Sequence, residues 1–240
     1  MNRRIGYSTG ALAKADFRRG LAILRRHHVG LVELSALRDT ELVPLLDSLC
    51  DLDLGFASYV SFHAPSRFEI HSERQTAQLL RALLPRRWPI IVHPDVMGDL
   101  AVWQGFGQWL CIENMDKRKP CGRTVSELEV LFRAFPDATF CFDIGHARQV
   151  DPTMGQAALI LERFAGRLRQ IHMSEVNSRN GHDPMSLTAI NAFRKVAHLI
   201  PKTTPVILET VIPEKLLEVQ MVLAEEALIL PGVAPGRLAT

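Results

Sequence analysis

Short apolar runs alternate with longer segments of helical period along the whole chain, the pattern of parallel strands joined by crossover helices. Eight runs read as strands: residues 4–8, 30–35, 57–62, 89–93, 109–113, 139–143, 169–174 and 205–210. Between them, amphipathic helices are predicted over 13–28, 41–51, 72–84, 98–106, 125–135, 154–166, 186–200 and 214–228. Pro85, Pro89, Pro136, Pro201 and Pro205 fall just before strands, where a helix has already stopped. Asp39, Ser72 and Ser186 stand where N-caps belong. No Ser/Gly-rich linker or charge block divides the chain, so the expectation is one α/β domain over 1–240, a single (βα)8 barrel from about 4 to 230 with a surface tail over 231–240. An open nucleotide-binding sheet fits less well, because the first strand runs into Ser8-Thr9-Gly10-Ala11 and not into a full GxGxxG.

The polar residues fall in a telling place. The third strand ends in His63, the fourth in His93, the fifth in Glu113, the sixth in Asp143, the seventh in His172 and the eighth in Glu209. In a barrel these six converge on the carboxyl-terminal mouth, where barrel enzymes place their chemistry. A lone His before Pro, as in His63-Ala64-Pro65 or His93-Pro94, reads as a turn residue, and only the repetition argues otherwise. Glu113 and Glu209 close apolar strands, where an unpaired charge costs roughly several kcal/mol. Lys and Arg are too sparse nearby to pair every carboxylate, whereas one divalent cation satisfies several. In Asp143-Ile144-Gly145-His146 the glycine allows a sharp strand-to-loop turn that brings His146 to the mouth, and the loop 176–183 brings up His182. Glu33, followed by further apolar residues, is a candidate for touching substrate or supporting a ligand from behind. His27, His28, His71 and His198 lie on helices or connections and read as solvent or packing residues.

Taken in order, Ile112-Glu113-Asn114, Asp143-Ile144-Gly145-His146, Ile171-His172-Met173-Ser174 and Leu208-Glu209 resemble the xylose isomerase-like TIM barrel superfamily, which holds sugar isomerases, sugar epimerases and endonuclease IV. The resemblance runs from Ile5 to about Leu230. It implies one divalent metal held by Glu113, Asp143, His172 and Glu209, with His146 on the substrate and Glu113 and Glu209 exchanging a proton on opposite faces of a sugar, sugar phosphate or polyol through an enediolate. The endonuclease IV members add two histidines matched here by His63 and His93, which with Glu113 would hold a second metal, while His146 with His182 would begin a third. Two positions depart from that pattern. Asn180 stands where the third site wants an Asp, with Asp183 the nearby substitute, and Ser66 stands where the repair enzyme carries an aromatic used against DNA.

The expectation is therefore a metal-dependent isomerase or epimerase of a small sugar-like substrate. The alternatives are a multinuclear phosphodiesterase of the abasic-site type and a barrel that binds metal or ligand without turnover. Mn or Zn suits the donor set, with Mg, Co or Fe also compatible, at one to three ions per chain. Composition changes this little. Twenty-eight Lys and Arg against 26 Asp and Glu leave a net charge of +2, which gives no warrant for nucleic acid or an anionic membrane. No apolar stretch approaches the roughly 18 residues of a membrane span. Cys50, Cys111, Cys121 and Cys141 form no CxxC pair, and Cys111 and Cys141 sit in apolar runs as reduced, buried thiols do, which suggests the cytoplasm. The 240 residues leave about 30 per βα unit, so the mouth should carry short loops, with room for a homo-oligomer but none for a large lid.

Overall fold

The computed structural model describes residues 3–179 and 181–229. Eight parallel strands close into a barrel: β1 (Ile5–Ser8), β2 (Leu31–Ser35), β3 (Tyr59–His63), β4 (Ile90–Val92), β5 (Leu110–Glu113), β6 (Thr139–Asp143), β7 (Leu168–Met173) and β10 (Val206–Leu208), with β10 pairing to β1. Two further strands, β8 (Glu175–Val176) and β9 (His182–Asp183), form a small antiparallel hairpin above the barrel. The predicted (βα)8 barrel is thus the fold. The expected tail over 231–240 and Asn180 lie outside the described residues.

Strand alternation sends one set of side chains outward and the other into the lumen. On β2, Val32 and Leu34 join the main apolar core with Leu21, Ile23 and Leu24 of helix α2 (Phe17–Arg26), following α1 (Thr9–Ala13). The lumen set of the middle strands begins with a small cluster of Ile91, Cys111 and Cys141 and ends in the polar residues of the mouth. Cys111 and Cys141 are buried free thiols, as expected.

Several helices depart from the sequence reading. The helix predicted over 13–28 starts later, as α2 at Phe17, where Asp16 caps it by accepting from the Arg19 N–H at 3.0 Å; the short α1 before it ends at Ala13. Region 98–106 forms no α-helix: Asp99 accepts from the Ala101 N–H at 3.1 Å and starts a 3-10 turn over Leu100–Trp103, and Gly105 at φ +86° ends it. Helix α3 (Asp39–Ser48) is capped at Arg38, so Asp39 is its first residue and not its N-cap. Ser72 does cap α4 (Glu73–Leu80), which tightens into a 3-10 turn at Arg81. The remaining helices are α5 (Val125–Ala134), α6 (Ile144–Val150), α7 (Gly155–Arg163), α8 (Leu187–Arg194), capped by Ser186, and α9 (Leu217–Ala227). Among the described residues no helix is long and apolar enough to cross a membrane.

Candidate metal centre

Every strand-end residue singled out above reaches one place. Glu113, the last residue of β5, is fully buried and stands at the centre. Its Oε2 lies 3.4 Å from His63 Nε2 and 3.3 Å from His93 Nε2, and its Oε1 lies 3.3 Å from both His146 Nδ1 and His172 Nδ1. Glu209 Oε2, one residue past β10, is 3.6 Å from His172 Nδ1 and 3.5 Å from His182 Nδ1. Asp143 closes β6 and caps α6, its Oδ1 accepting from the His146 N–H at 2.6 Å while Oδ2 stays 3.5 Å from His146 Nδ1. Ligand atoms of Glu113, Asp143, His172 and Glu209 fall within 4.8 Å of one another, as do those of His63, His93 and Glu113.

Local structure aims these groups. His63 Nδ1 lies 2.7 Å from the Ala64 carbonyl, which takes its proton and leaves Nε2 for the lumen. The Asn114 side chain exchanges two 2.8 Å hydrogen bonds with the Asp143 backbone, donating from Nδ2 and accepting at Oδ1, and so locks β5 to β6 at the mouth. No loop follows Asp143. The strand passes directly into α6, and Gly145 is required for another reason: a Cβ there would collide with the Ser174 carbonyl oxygen. His182 rides on the β8–β9 hairpin, with Nδ1 2.9 Å from Ser174 Oγ and its ring 5.9 Å from that of His146. Asp183 is exposed and accepts from Asn177 Nδ2 at 2.8 Å.

Charges in so small a volume shift one another. Burial would raise the Glu113 carboxyl, but His172 and His93 outweigh it and hold Glu113 well below the usual range. Burial opposes protonation of His63 and His146, yet Glu113 overcomes it at His63, and Asp143 with Glu113 at His146, lifting them to about 9 and about 10. His93, with burial foremost and the His63 charge against it, is lowered despite the pull of Glu113. Burial pushes Glu209 up to about 7, and burial with the His146 charge pushes His182 down to about 3.

Several buried atoms of this cluster lack a hydrogen-bond partner: both Glu113 oxygens, Asp143 Oδ2, His172 Nδ1 and His93 Nδ1. Buried polar atoms are ordinarily paired. Apart from His93 Nδ1, which faces Asp95 at 3.9 Å, they belong to one set of carboxylate and imidazole donors, the chemistry that divalent Mn, Zn or Fe prefers. These residues fit such a cation.

The donors floor a cavity of about 230 Å³ whose wall includes Ser8, Gly10, Ser66, Arg67, Asp116 and Lys119. Lys119 Nζ is held by Asp95 at 2.6 Å. Of the histidines read as peripheral, His27 pairs with Glu214 and Glu218, and His71 with Asp39, and neither histidine lines the cavity. Glu33 was the understated residue: fully buried, it stands 3.0 Å from His172 Nε2. The signal was available, since Gln170 precedes His172 by two and Tyr59-x-Ser61-x-His63 alternates, which sets a polar file on the face that carries the ligands.

No family model and no curated protein matches this sequence. Among solved structures the chain is similar to endonuclease IV from Thermus thermophilus, with a TM-score of 0.59 and 16% identity over 93% of this chain and 99% of that one. It is also similar to D-psicose 3-epimerase crystallised in the presence of D-fructose, with a TM-score of 0.52 and 14% identity over 87% of this chain and 84% of the other. An endonuclease and an epimerase share this architecture, so architecture alone does not choose a reaction. What the chain has in common with both is the fold, a closed barrel of eight parallel strands with helices between them.

Proposed function

We propose that this chain is a metal-dependent hydrolase of phosphate esters, with Glu113 bridging at least two divalent cations. One observation carries the reading: the two Glu113 oxygens face different partners, Oε2 the His63 and His93 pair, Oε1 His172 and His146. A carboxylate that only shuttled a substrate proton would keep one oxygen open to the cavity, and both oxygens here are buried among imidazoles. His63 and His93 would hold one cation with Glu113, and Asp143, His172 and Glu209 another with the same carboxylate. His146 and His182 stand beside them for substrate or a third ion. Cations so held would draw charge from a phosphoryl oxygen and make water acidic enough to attack near neutral pH. Arg67 and Lys119 line the same cavity and would orient the substrate anion.

Elemental analysis tests this directly. Two or more Zn, Mn or Fe per chain are expected, falling to one or none in Glu113→Ala, together with hydrolysis of bis(4-nitrophenyl) phosphate or nicking of an abasic-site duplex. A fully loaded protein inactive on every phosphate ester tried overturns the reading.

A second reading rests on the size of the cavity. At about 230 Å³ it is smaller than the roughly 300 to 1,000 Å³ usual for ligand pockets and suits a single sugar or sugar phosphate. In an isomerase or epimerase Glu113 and Glu209 would exchange the proton and His146 and His182 would hold hydroxyls. One metal per chain, with exchange of a carbon-bound substrate proton in deuterated water that is lost in Glu209→Gln, would favour it.

A further inference from the structure

The lumen of a (βα)8 barrel is ordinarily filled by branched apolar side chains. Below the mouth of this one, β2, β3 and β7 present Glu33, Tyr59, Ser61 and Gln170. Glu33 Oε2 accepts from Ser61 Oγ at 2.9 Å and from Gln170 Nε2 at 2.8 Å, and lies 3.0 Å from His172 Nε2. Gln170 Oε1 in turn accepts from the Tyr59 hydroxyl at 2.7 Å, and its Nε2 is 2.8 Å from His172 Nε2. Since β2 and β7 are not neighbours in the barrel, these contacts cross the lumen. A carboxylate with no exposure in a place that apolar residues normally fill weakens packing and carries a desolvation cost. Departures of this kind from core rules concentrate at functional sites.

We propose that Glu33 is a positioning residue for His172, held in place by Ser61, Gln170 and, through Gln170, Tyr59. An imidazole that gives a cation the lone pair of one nitrogen carries its proton on the other. His172 Nδ1 is the atom that faces Glu113 and Glu209, so Nε2 carries the proton and Glu33 Oε2 accepts it; the neighbouring Gln170 amide donates to the same Oε2 and not to the imidazole. Glu33 thereby fixes both the tautomer and the ring plane of a ligand it does not itself join, and its charge makes the imidazole a stronger donor. The inference rests on the reading of the mouth as a metal centre.

Zinc affinity of the purified protein, measured by competition with a chromophoric chelator, is the test. Glu33→Met keeps the length of the side chain and removes the acceptor, and should weaken zinc binding 10- to 100-fold. Glu33→Gln keeps a neutral acceptor at the same place and should lie between Glu33→Met and the wild type. In the zinc-loaded wild type, nitrogen NMR of His172, assigned by its loss in His172→Gln, should show a protonated Nε2. The metal-free melting temperature of Glu33→Met separates this role from a merely structural one, which would lower that temperature and leave the affinity of the folded protein intact. A folded Glu33→Met that binds zinc within about twofold of wild type overturns the positioning role alone. A wild-type chain that takes up no zinc, manganese or cobalt overturns the metal centre and the positioning role with it. If Glu33→Met does not fold, the NMR signal decides: a proton on Nδ1 in the zinc form overturns the inference.

Discussion

A buried carboxylate is stable where other donors replace the water it has lost, and Asp39 meets that condition outside the candidate metal cluster. Its Oδ2 accepts from the backbone N–H groups of Glu69, Ile70 and His71 at 3.0, 2.8 and 2.7 Å, and its Oδ1 lies 2.7 Å from His71 Nδ1. The side chain thus ties the 69–71 loop to the start of α3. Burial would raise its carboxyl, but the bonds from His71 and Ile70 prevail and hold it below the usual range. Because the folded value is the lower one, the stabilisation is complete above the unfolded value of roughly 3.9 and is lost as pH falls through the folded value. Asp39→Ala should cost about 2–3 kcal/mol at neutral pH, and its urea midpoint should drop less than that of wild type between pH 6 and pH 3. Residues of this kind are the least legible in a sequence. Asp39 reads as a cap because its local context is that of one, while its partners lie some thirty residues onward and only the fold brings them near. Glu113, Asp143, His172 and Glu209 are legible for the opposite reason: strand ends share a mouth by topology, so position along the chain already implies proximity.

At the scale of elements, the strands were easier to read than the helices. Runs such as 109–113 and 139–143 carry their boundaries in the switch from apolar to chemically active residues, and β5 and β6 end on the expected Glu113 and Asp143. Helix limits depend on weaker signals. The stretch 98–106 has helical composition, yet the Asp99 cap and the positive φ of Gly105 restrict it to a 3-10 turn. The junction of β6 and α6 shows what an element boundary can demand. With the Ser174 carbonyl oxygen occupying the space a Cβ would need, Gly145→Ala forces α6 away from β7. A loss of about 1–3 kcal/mol is expected from the overpacking, measured by chemical denaturation. Metal affinity should fall as well, since His146 rides on the first turn of that helix; a variant with lowered stability and unchanged metal content would contradict that link.

For the molecule as a whole, the mouth gathers more ionisable groups than a barrel needs to stand. If it holds cations, those ions stabilise the native state alone, by about 2.7 kcal/mol for each site filled at a hundred times its dissociation constant. For a chain of this length that corresponds to a melting temperature higher by roughly 5–10 °C, reversible with a chelator. The shift should shrink by at least one site's share in Glu113→Ala, since Glu113 is common to both donor groups. A chelator with no effect on the wild type would speak against resident metal.

Besides the contacts of His182 with Ser174 and Glu209, the β8–β9 hairpin is tied down by Arg148 with Glu175 at 2.9 Å, the Ser186 N–H to Glu175 at 2.8 Å, Gln149 Nε2 to the Asn177 carbonyl at 2.8 Å, and the Val211 N–H to the His182 carbonyl at 2.9 Å. It adds no strand to the barrel, whose ring closes without it. Under the proposed function, His182 would be the part of the site that sits outside the ring of strands, so substitutions at His182 would alter this corner while leaving the barrel closed.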